Sequence, residues 1–268
     1  MKKQFILFLA ALTAVPAFAA NRGSIMRGGY GFLFPDANHF VNGGQLSMNR
    51  GTSLSTEYAK KDLAGVQGWG SSVVWANGKT GVGAGVDRMG TDLSAANSVD
   101  TLNVQAGASV AQDKVTVGAV YNRSLESVAA NDGNLSAQMN ISLGKPGQGF
   151  VVGVGAGTSL GGATKTQSGT AALGYAFNSG LMLEGAYNVL NWSDAQNNHS
   201  YTGSFVYNHA SWYVSGQYNS ATVAATSLDV GAGRLGVVWG SVDLSAAVTK
   251  GLYTGGDTSY GGTLRVVF

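Results

Sequence analysis

The feature that most constrains this chain is a two-residue alternation of side chains that recurs from about residue 51 to the C-terminus. In residues 101–110 every even position is apolar, and every odd position is Thr, Asn, Gln, Gly or Ser. Residues 135–143 and 242–249 repeat the alternation. Because successive side chains of a β-strand point to opposite faces, the chain is predicted to be all-β, with one apolar and one polar face on each strand.

The polar face carries little charge, which separates this chain from an ordinary soluble sheet protein. A soluble β-sandwich also alternates, but it presents Lys and Glu to water. Charged residues make up only 11% of this sequence, whereas soluble domains average about 25%. Uncharged polar side chains are typical of an enclosed, hydrated lumen, with the apolar face against lipid. The pattern therefore predicts a transmembrane, antiparallel, up-and-down β-barrel.

The N-terminus has the three parts of a secretory signal peptide. Lys2 and Lys3 precede an apolar run at residues 5–15, and a small-x-small site follows at residues 17–19. We predict cleavage after Ala19, which makes residues 1–19 a signal peptide. No later apolar stretch approaches the ~20 residues of a spanning helix. An exported chain of this kind is expected in the outer membrane of a Gram-negative bacterium.

Composition excludes several classes of function. Without Lys2 and Lys3, the 16 basic residues fall to 14, which equals the 14 acidic residues. That balance leaves no basic surplus for nucleic acid. The chain has no cysteine, so it has no disulfides, thiolate metal ligands or thiol nucleophiles.

Turn signals set the number of strands. Short connections such as 77–79 and 145–147 alternate with longer polar ones such as 89–98 and 220–226, as in outer-membrane barrels. Counting back from Phe268 predicts fourteen strands within a barrel domain at residues 51–268, and twelve or sixteen stay open. The last strand, 259–268, is expected to pair with the first, 51–60. Aromatic residues gather at both ends of the strands, as in membrane-interface belts.

Residues 20–50 do not read as a strand, because they contain glycine pairs and Pro35. Fourteen strands enclose more space than side chains alone fill. We therefore predict that this segment is a hatch inside the lumen, with Arg22 and Arg27 as its candidate functional residues. The alternative is that residues 24–34 form a strand, followed by an outer loop at residues 35–43, in a barrel of sixteen strands.

Two resemblances accompany these patterns. Residues 37–46, ANHFVNGGQL, resemble the hatch stretch of the FadL-like long-chain fatty-acid transporters at Asn42 and Leu46, while Gly43 and Gly44 replace that family's Pro and Ala. This resemblance implies a hatch, with Asn42 as a candidate functional residue, within a fourteen-stranded barrel that transports hydrophobic molecules.

The mature chain as a whole resembles porin-type outer-membrane barrels that end in Phe. Its last strand is similar to the signal that the barrel-assembly machinery reads, which implies that machinery as a partner and assigns the signal to Tyr260, Leu264, Val266 and Phe268.

Few charges fall on the inward face of the predicted strands. Fixed charges in a lumen set ion selectivity, although they also pair with one another or with Arg22 and Arg27. The predicted selectivity residues lie near the periplasmic end (Glu184, Arg234, Asp243 and Arg265) and nearer the outer rim (Glu57 and Asp87).

No constellation predicts catalysis, a metal site or a cofactor. His199 and Ser200 are adjacent on a strand, so they face opposite ways and are poorly placed as base and nucleophile. The predicted function is a porin-like channel for passive diffusion of small solutes or ions. A FadL-like transporter of hydrophobic molecules and a non-transporting structural or surface-binding barrel are the alternatives. The sequence leaves open the solute and whether the chain forms a homo-oligomer.

Overall fold

A computed structural model describes residues 46–47, 50–61, 67–90, 101–125, 133–144, 148–160, 167–190, 198–223, 226–253, 256 and 258–268. The described residues form fourteen strands. In chain order they are β1 (Arg50–Lys61), β2 (Gln67–Asn77), β3 (Thr80–Gly90), β4 (Thr101–Gln112), β5 (Val115–Ser124), β6 (Asn134–Ser142), β7 (Gly149–Ser159), β8 (Gln167–Ala176), β9 (Leu181–Leu190), β10 (His199–Asn208), β11 (Trp212–Val223), β12 (Thr226–Trp239), β13 (Val242–Gly251) and β14 (Thr258–Val267).

The strands close into a ring. Each strand pairs antiparallel with its neighbours in sequence, and β1 pairs with both β2 and β14. Ser55 illustrates the closure, because it lies opposite Arg265 on one side and Ser72 on the other. The predicted count of fourteen is thereby confirmed, since a closed ring has no edge at which a further strand could pair. Closure also satisfies every strand edge, which a lipid environment demands.

Tight connections lie at one end of the barrel, called here the short-turn end. Between β2 and β3, the Asn77 Oδ1 atom accepts hydrogen bonds from the backbone N–H groups of Lys79 at 2.9 Å and Thr80 at 2.7 Å. Gly78 adopts a φ of +82°, which glycine reaches without steric cost. Asn-Gly is the expected chemistry for a two-residue hairpin, so the sequence signal and the turn agree.

One predicted loop is largely strand. Residues 220–226 read as a long polar connection, but β11 and β12 continue pairing to Thr222↔Ser227 and Val223↔Thr226. Polar composition does not by itself end a strand, because backbone hydrogen bonds between strands form whether the side chains are polar or apolar. This hairpin therefore extends further than the predicted connection at residues 220–226 allows.

Burial is inverted relative to a water-soluble protein. Long polar side chains on the inward face, such as Glu57, Gln138 and Arg234, are buried. Apolar side chains on the outward face, such as Leu235 and Leu244, are more than half exposed. No helix in the described part of the chain is long and apolar enough to cross a membrane. The apolar outside and polar inside are the arrangement of a barrel with lipid around it.

Exposed aromatic side chains form two outward belts, as the sequence predicts. At the short-turn end they include Trp75, Phe177, Trp212, Trp239 and Phe268. Some stack on neighbours, as Tyr175 does edge-on against both Phe150 and Phe177. Towards the opposite end the exposed aromatics include Tyr187, Tyr201, Tyr218 and Tyr260. Aromatic belts of this kind mark the two interfaces of a membrane.

Candidate functional site: the barrel lumen

The backbone register places all six predicted selectivity residues at inward positions. Glu57, Glu184 and Arg234 are buried there, and Asp243 and Arg265 are partly accessible nearer the short-turn end. Asp87 lies at an inward register position opposite Gly70, and its side chain is outside the described residues. Arg22, Arg27 and Asn42 also lie outside the described residues. The role of these residues in selectivity stays a prediction.

Asp243 is the centre of a brace that spans three strands. Tyr213 of β11 lies directly opposite Gly236 of β12, and its ring covers the space that a Cβ atom at Gly236 would occupy. The Tyr213 hydroxyl then donates to Asp243 Oδ1 on β13 at 3.1 Å. An aromatic ring laid over a cross-strand glycine helps to pin the register of the strands. The glycine thus lets one tyrosine tie β11 to β13 across the strand between them.

Charged side chains surround this brace. Asp243 lies directly opposite Arg265, and the positive charges of Arg265 and Arg234 both act on its carboxylate. On the next strand, the Thr263 hydroxyl lies 3.4 Å from Glu57 Oε2. Ionisable and hydroxyl side chains therefore line the wall formed by β12, β13, β14 and β1. Charges held at fixed positions in a lumen are the condition for selectivity.

Polar bonding on the rest of the wall is uncharged. Gln138 Nε2 donates to Asn140 Oδ1 at 2.7 Å on β6. Asn188 bridges three strands, because its Oδ1 accepts from Thr170 at 2.7 Å and its Nδ2 donates to Ser200 at 3.1 Å. Among the described inward side chains of β2–β8, none is ionisable. Among the described inward side chains, the ionisable groups therefore lie on one side of the lumen, β9–β14 with β1, which we call the charged side. Strands β2–β8 form what we call the uncharged side, named for its described side chains; Asp87 of β3, at an inward register position, is not among them.

Leu46 and Ser47 lie inside the barrel against the uncharged side. Leu46 is fully buried and packs with Val74 and Val120. The Ser47 backbone N–H donates to the Ser109 hydroxyl on β4 at 2.6 Å. Leu46 is also the last residue of the stretch that resembles a FadL-like hatch. Of the predicted hatch, residues 20–50, only positions 46, 47 and 50 belong to the described chain.

A small apolar patch also faces the lumen. Ala172 and Ala176 of β8 are buried and pack against Val151, Met182 and Ala186. The alternation predicts that these side chains face the lumen. Nothing in the sequence marks them as a patch, because alanine is neutral in a strand pattern. The patch adjoins the buried Glu184, so apolar and charged surfaces meet on this part of the wall.

The structure bears on the candidates for catalysis as well. His199 is outward, with its ring 5.5 Å from that of Tyr201, while Ser200 is inward and bonded to Asn188. Their opposite faces confirm the strand-parity argument against a base–nucleophile pair. Within the described ranges, no group of three or more His, Cys, Asp or Glu side chains could hold a metal ion.

These features define a class of fold: a closed fourteen-stranded antiparallel barrel with an apolar exterior and a polar lumen. The sequence matches no protein-family model and no curated protein.

Solved structures do match the fold. The Ralstonia pickettii toluene transporter TbuX superposes with a TM-score of 0.61 at 13% identity, covering 93% of this chain and 99% of that one. The CymD monoaromatic hydrocarbon channel gives a TM-score of 0.62 at 13% identity, over 94% of this chain and 99% of that one. The Acinetobacter baumannii outer membrane protein Omp33 gives 0.55 at 11% identity, over 83% and 100%. The chain thus has the fold of outer-membrane β-barrels.

Proposed function

We propose that this protein is an outer-membrane channel for the passive diffusion of small polar solutes or ions. The observation that carries the proposal is the inverted burial, with Arg234, Glu57 and Gln138 buried inside and Leu235 and Leu244 exposed outside. A lumen of this composition suits water and hydrated solutes. The short-turn end would face the periplasm, as in bacterial barrels with short periplasmic turns.

The N-terminal segment is proposed to restrict this channel. Inward side chains such as Gln105, Glu184 and Arg234 are less than one-tenth exposed, whereas an open lumen of fourteen strands would leave side chains facing water. Leu46 and Ser47 lie in the lumen, which supports placing the hatch there. Deletion of residues 21–45 should raise single-channel conductance in planar bilayers. Unchanged conductance would argue against a restricting hatch.

The lumen charges predict a weak cation preference. The described inward side chains include three carboxylates, Glu57, Glu184 and Asp243, and two guanidinium groups, Arg234 and Arg265. A reversal-potential measurement in a KCl gradient tests the sign. Asp243→Asn should lower the cation preference and Arg265→Gln should raise it. Asp229→Asn is the matched control, because Asp229 lies at an outward position of β12 next to inward Val230.

A second candidate is a transporter of hydrophobic molecules. It is favoured by the apolar lumen patch around Ala172 and Met182, and two structures with the same fold are described as a toluene transporter and a monoaromatic hydrocarbon channel. It predicts faster uptake of toluene into vesicles that contain the protein than into protein-free vesicles of the same lipid, with little ion conductance. A barrel with a purely structural or surface-binding role would show neither, so the same two measurements separate all three functions.

Export and assembly complete the proposal. Residues 1–19 are proposed to be removed as a signal peptide. The last strand, with Tyr260, Leu264, Val266 and Phe268 facing outward, is proposed to be read by the barrel-assembly machinery. Support for the second point comes from the outward exposure of Tyr260 and Phe268 at the closing strand.

A further inference from the structure

On the uncharged side of the lumen, Leu46 and Ser47 pack against a group of five wall residues. We call this group the lumen seat: Val74, Gly81, Gly107, Ser109 and Val120. The Leu46 side chain fills the space between Val74 and Val120, and it is fully buried there. Ser47 is fully buried as well. Two successive residues with no exposed surface are held far more closely than a segment that merely crosses a channel.

Two glycines of the seat leave room for Leu46 and Ser47 to lie directly against the wall. A Cβ atom at Gly81 would overlap the backbone of Leu46 and Ser47, so the strand and the segment touch backbone to backbone. At Gly107 a Cβ atom would lie 2.9 Å from Leu46 Cδ1 and 3.0 Å from Val120 Cγ2. Any other residue at Gly81 would push the segment away from the wall, since backbone cannot give way as a flexible side chain does.

A directed polar contact completes the seat. The backbone N–H of Ser47 donates to the Ser109 Oγ atom at 2.6 Å, and the bond is buried. A buried backbone N–H without an acceptor is costly, so Ser109 favours this one position of the segment. Apolar packing, close backbone approach and a hydrogen bond therefore converge on the same two residues.

We propose that the lumen seat is an intramolecular binding site that fixes the N-terminal segment to the β2–β5 wall near the short-turn end. The seat itself does not depend on the proposed channel function, but its consequence for conductance rests on that function. That consequence is that a segment fixed at the lumen seat narrows the channel, so that releasing the segment should widen it. The ligand of the site is Leu46–Ser47 of the same chain.

A disulfide tests the position of the segment, because the chain has no native cysteine. Ser47→Cys with Ser109→Cys should form a disulfide in the assembled barrel, detected by mass spectrometry of proteolytic fragments. The Ser47 bond to Ser109 uses the backbone N–H, so Ser47→Cys preserves that donor. Ser47→Cys with Ser215→Cys is the control, since Ser215 is buried on the charged side. Equal cross-linking of both cysteine pairs would overturn the proposal. So would the absence of a disulfide between positions 47 and 109 in the assembled barrel, if both thiols prove reactive after unfolding.

Conductance tests the effect of the attachment. Gly81→Ala should raise the conductance from the wild-type value towards that of the 21–45 deletion. Adding Ser47→Cys and Ser109→Cys to the Gly81→Ala chain and oxidising the two thiols to a disulfide should restore the wild-type value. Gly185→Ala is the control, because a Cβ atom there meets nothing within 4 Å. If Gly81→Ala fails to assemble, Leu46→Ala empties the seat without adding atoms. Wild-type conductance in Leu46→Ala and Gly81→Ala alike would contradict the proposal.

The two proposals fail in different ways. If neither the wild type nor the 21–45 deletion conducts, the channel function is wrong, and the cross-link still decides the seat. If the deletion conducts more than the wild type while the cysteines substituted for Ser47 and Ser109 do not cross-link, the seat is wrong and the channel function stands.

Discussion

The Tyr213 brace makes a quantitative prediction for the stability of the barrel. Tyr213→Phe keeps the ring over Gly236 but removes the 3.1 Å hydrogen bond to Asp243. Hydrogen bonds to charged groups contribute about 1.5–3 kcal/mol, so the free energy of unfolding should fall by about that amount. Tyr218→Phe is the matched control, because Tyr218 is outward and about half exposed. Its effect should stay within about 0.5 kcal/mol, as for exposed substitutions generally.

The assay is urea unfolding of the barrel refolded in lipid vesicles, followed by tryptophan fluorescence. A double-mutant cycle of Tyr213→Phe with Asp243→Ala isolates the contact, because residues that share a hydrogen bond couple by about 0.5–3 kcal/mol. Additivity of the two changes would refute the argument that the hydroxyl ties β11 to β13. So would a Tyr213→Phe effect no larger than that of Tyr218→Phe.

Three further outcomes follow from other contacts. Gly78→Ala should lower the free energy of unfolding by about 1–2 kcal/mol in the same urea assay, because residue 78 has a φ of +82°; no change would contradict the left-handed turn. Ser200→Ala should cost about 1 kcal/mol, since the Asn188 amide loses an acceptor at 3.1 Å, and an effect near zero would count against that bridge. Deletion of Phe268 should reduce the yield of membrane-inserted protein in cells more than it lowers stability after refolding in vitro, and a normal yield in cells would contradict the assembly role.

Much of the fold was predictable because the relevant signals are local. Strand parity depends only on neighbouring residues, so the inward placement of Glu57, Glu184 and Arg234 could be read from alternation. Turn chemistry such as Asn77-Gly78 separates one strand from the next. The extension of β11 to Val223 was missed, because a polar strand above the apolar band looks like a loop when judged by composition alone.

The inward placement of the candidate residues was predictable, but their contacts were not. The sequence indicated which ionisable side chains face inward, and it indicated that something near residues 20–50 would occupy the lumen. It gave no signal for Tyr213, because a tyrosine in an alternating strand is ordinary. Only its position opposite Gly236, with Asp243 one strand further, makes it a brace.

The sequence by itself determined the period, the turns and the two faces, and hence a barrel of about fourteen strands with a sparsely charged lumen. Those properties follow from interactions between residues close together in the chain. The tertiary structure decided the pairing of β1 with β14, the reach of Tyr213 across a strand, and the seating of Leu46 against Gly81. Each of these depends on the register and curvature of a closed ring, which brings residues far apart in the chain to fixed heights in one lumen.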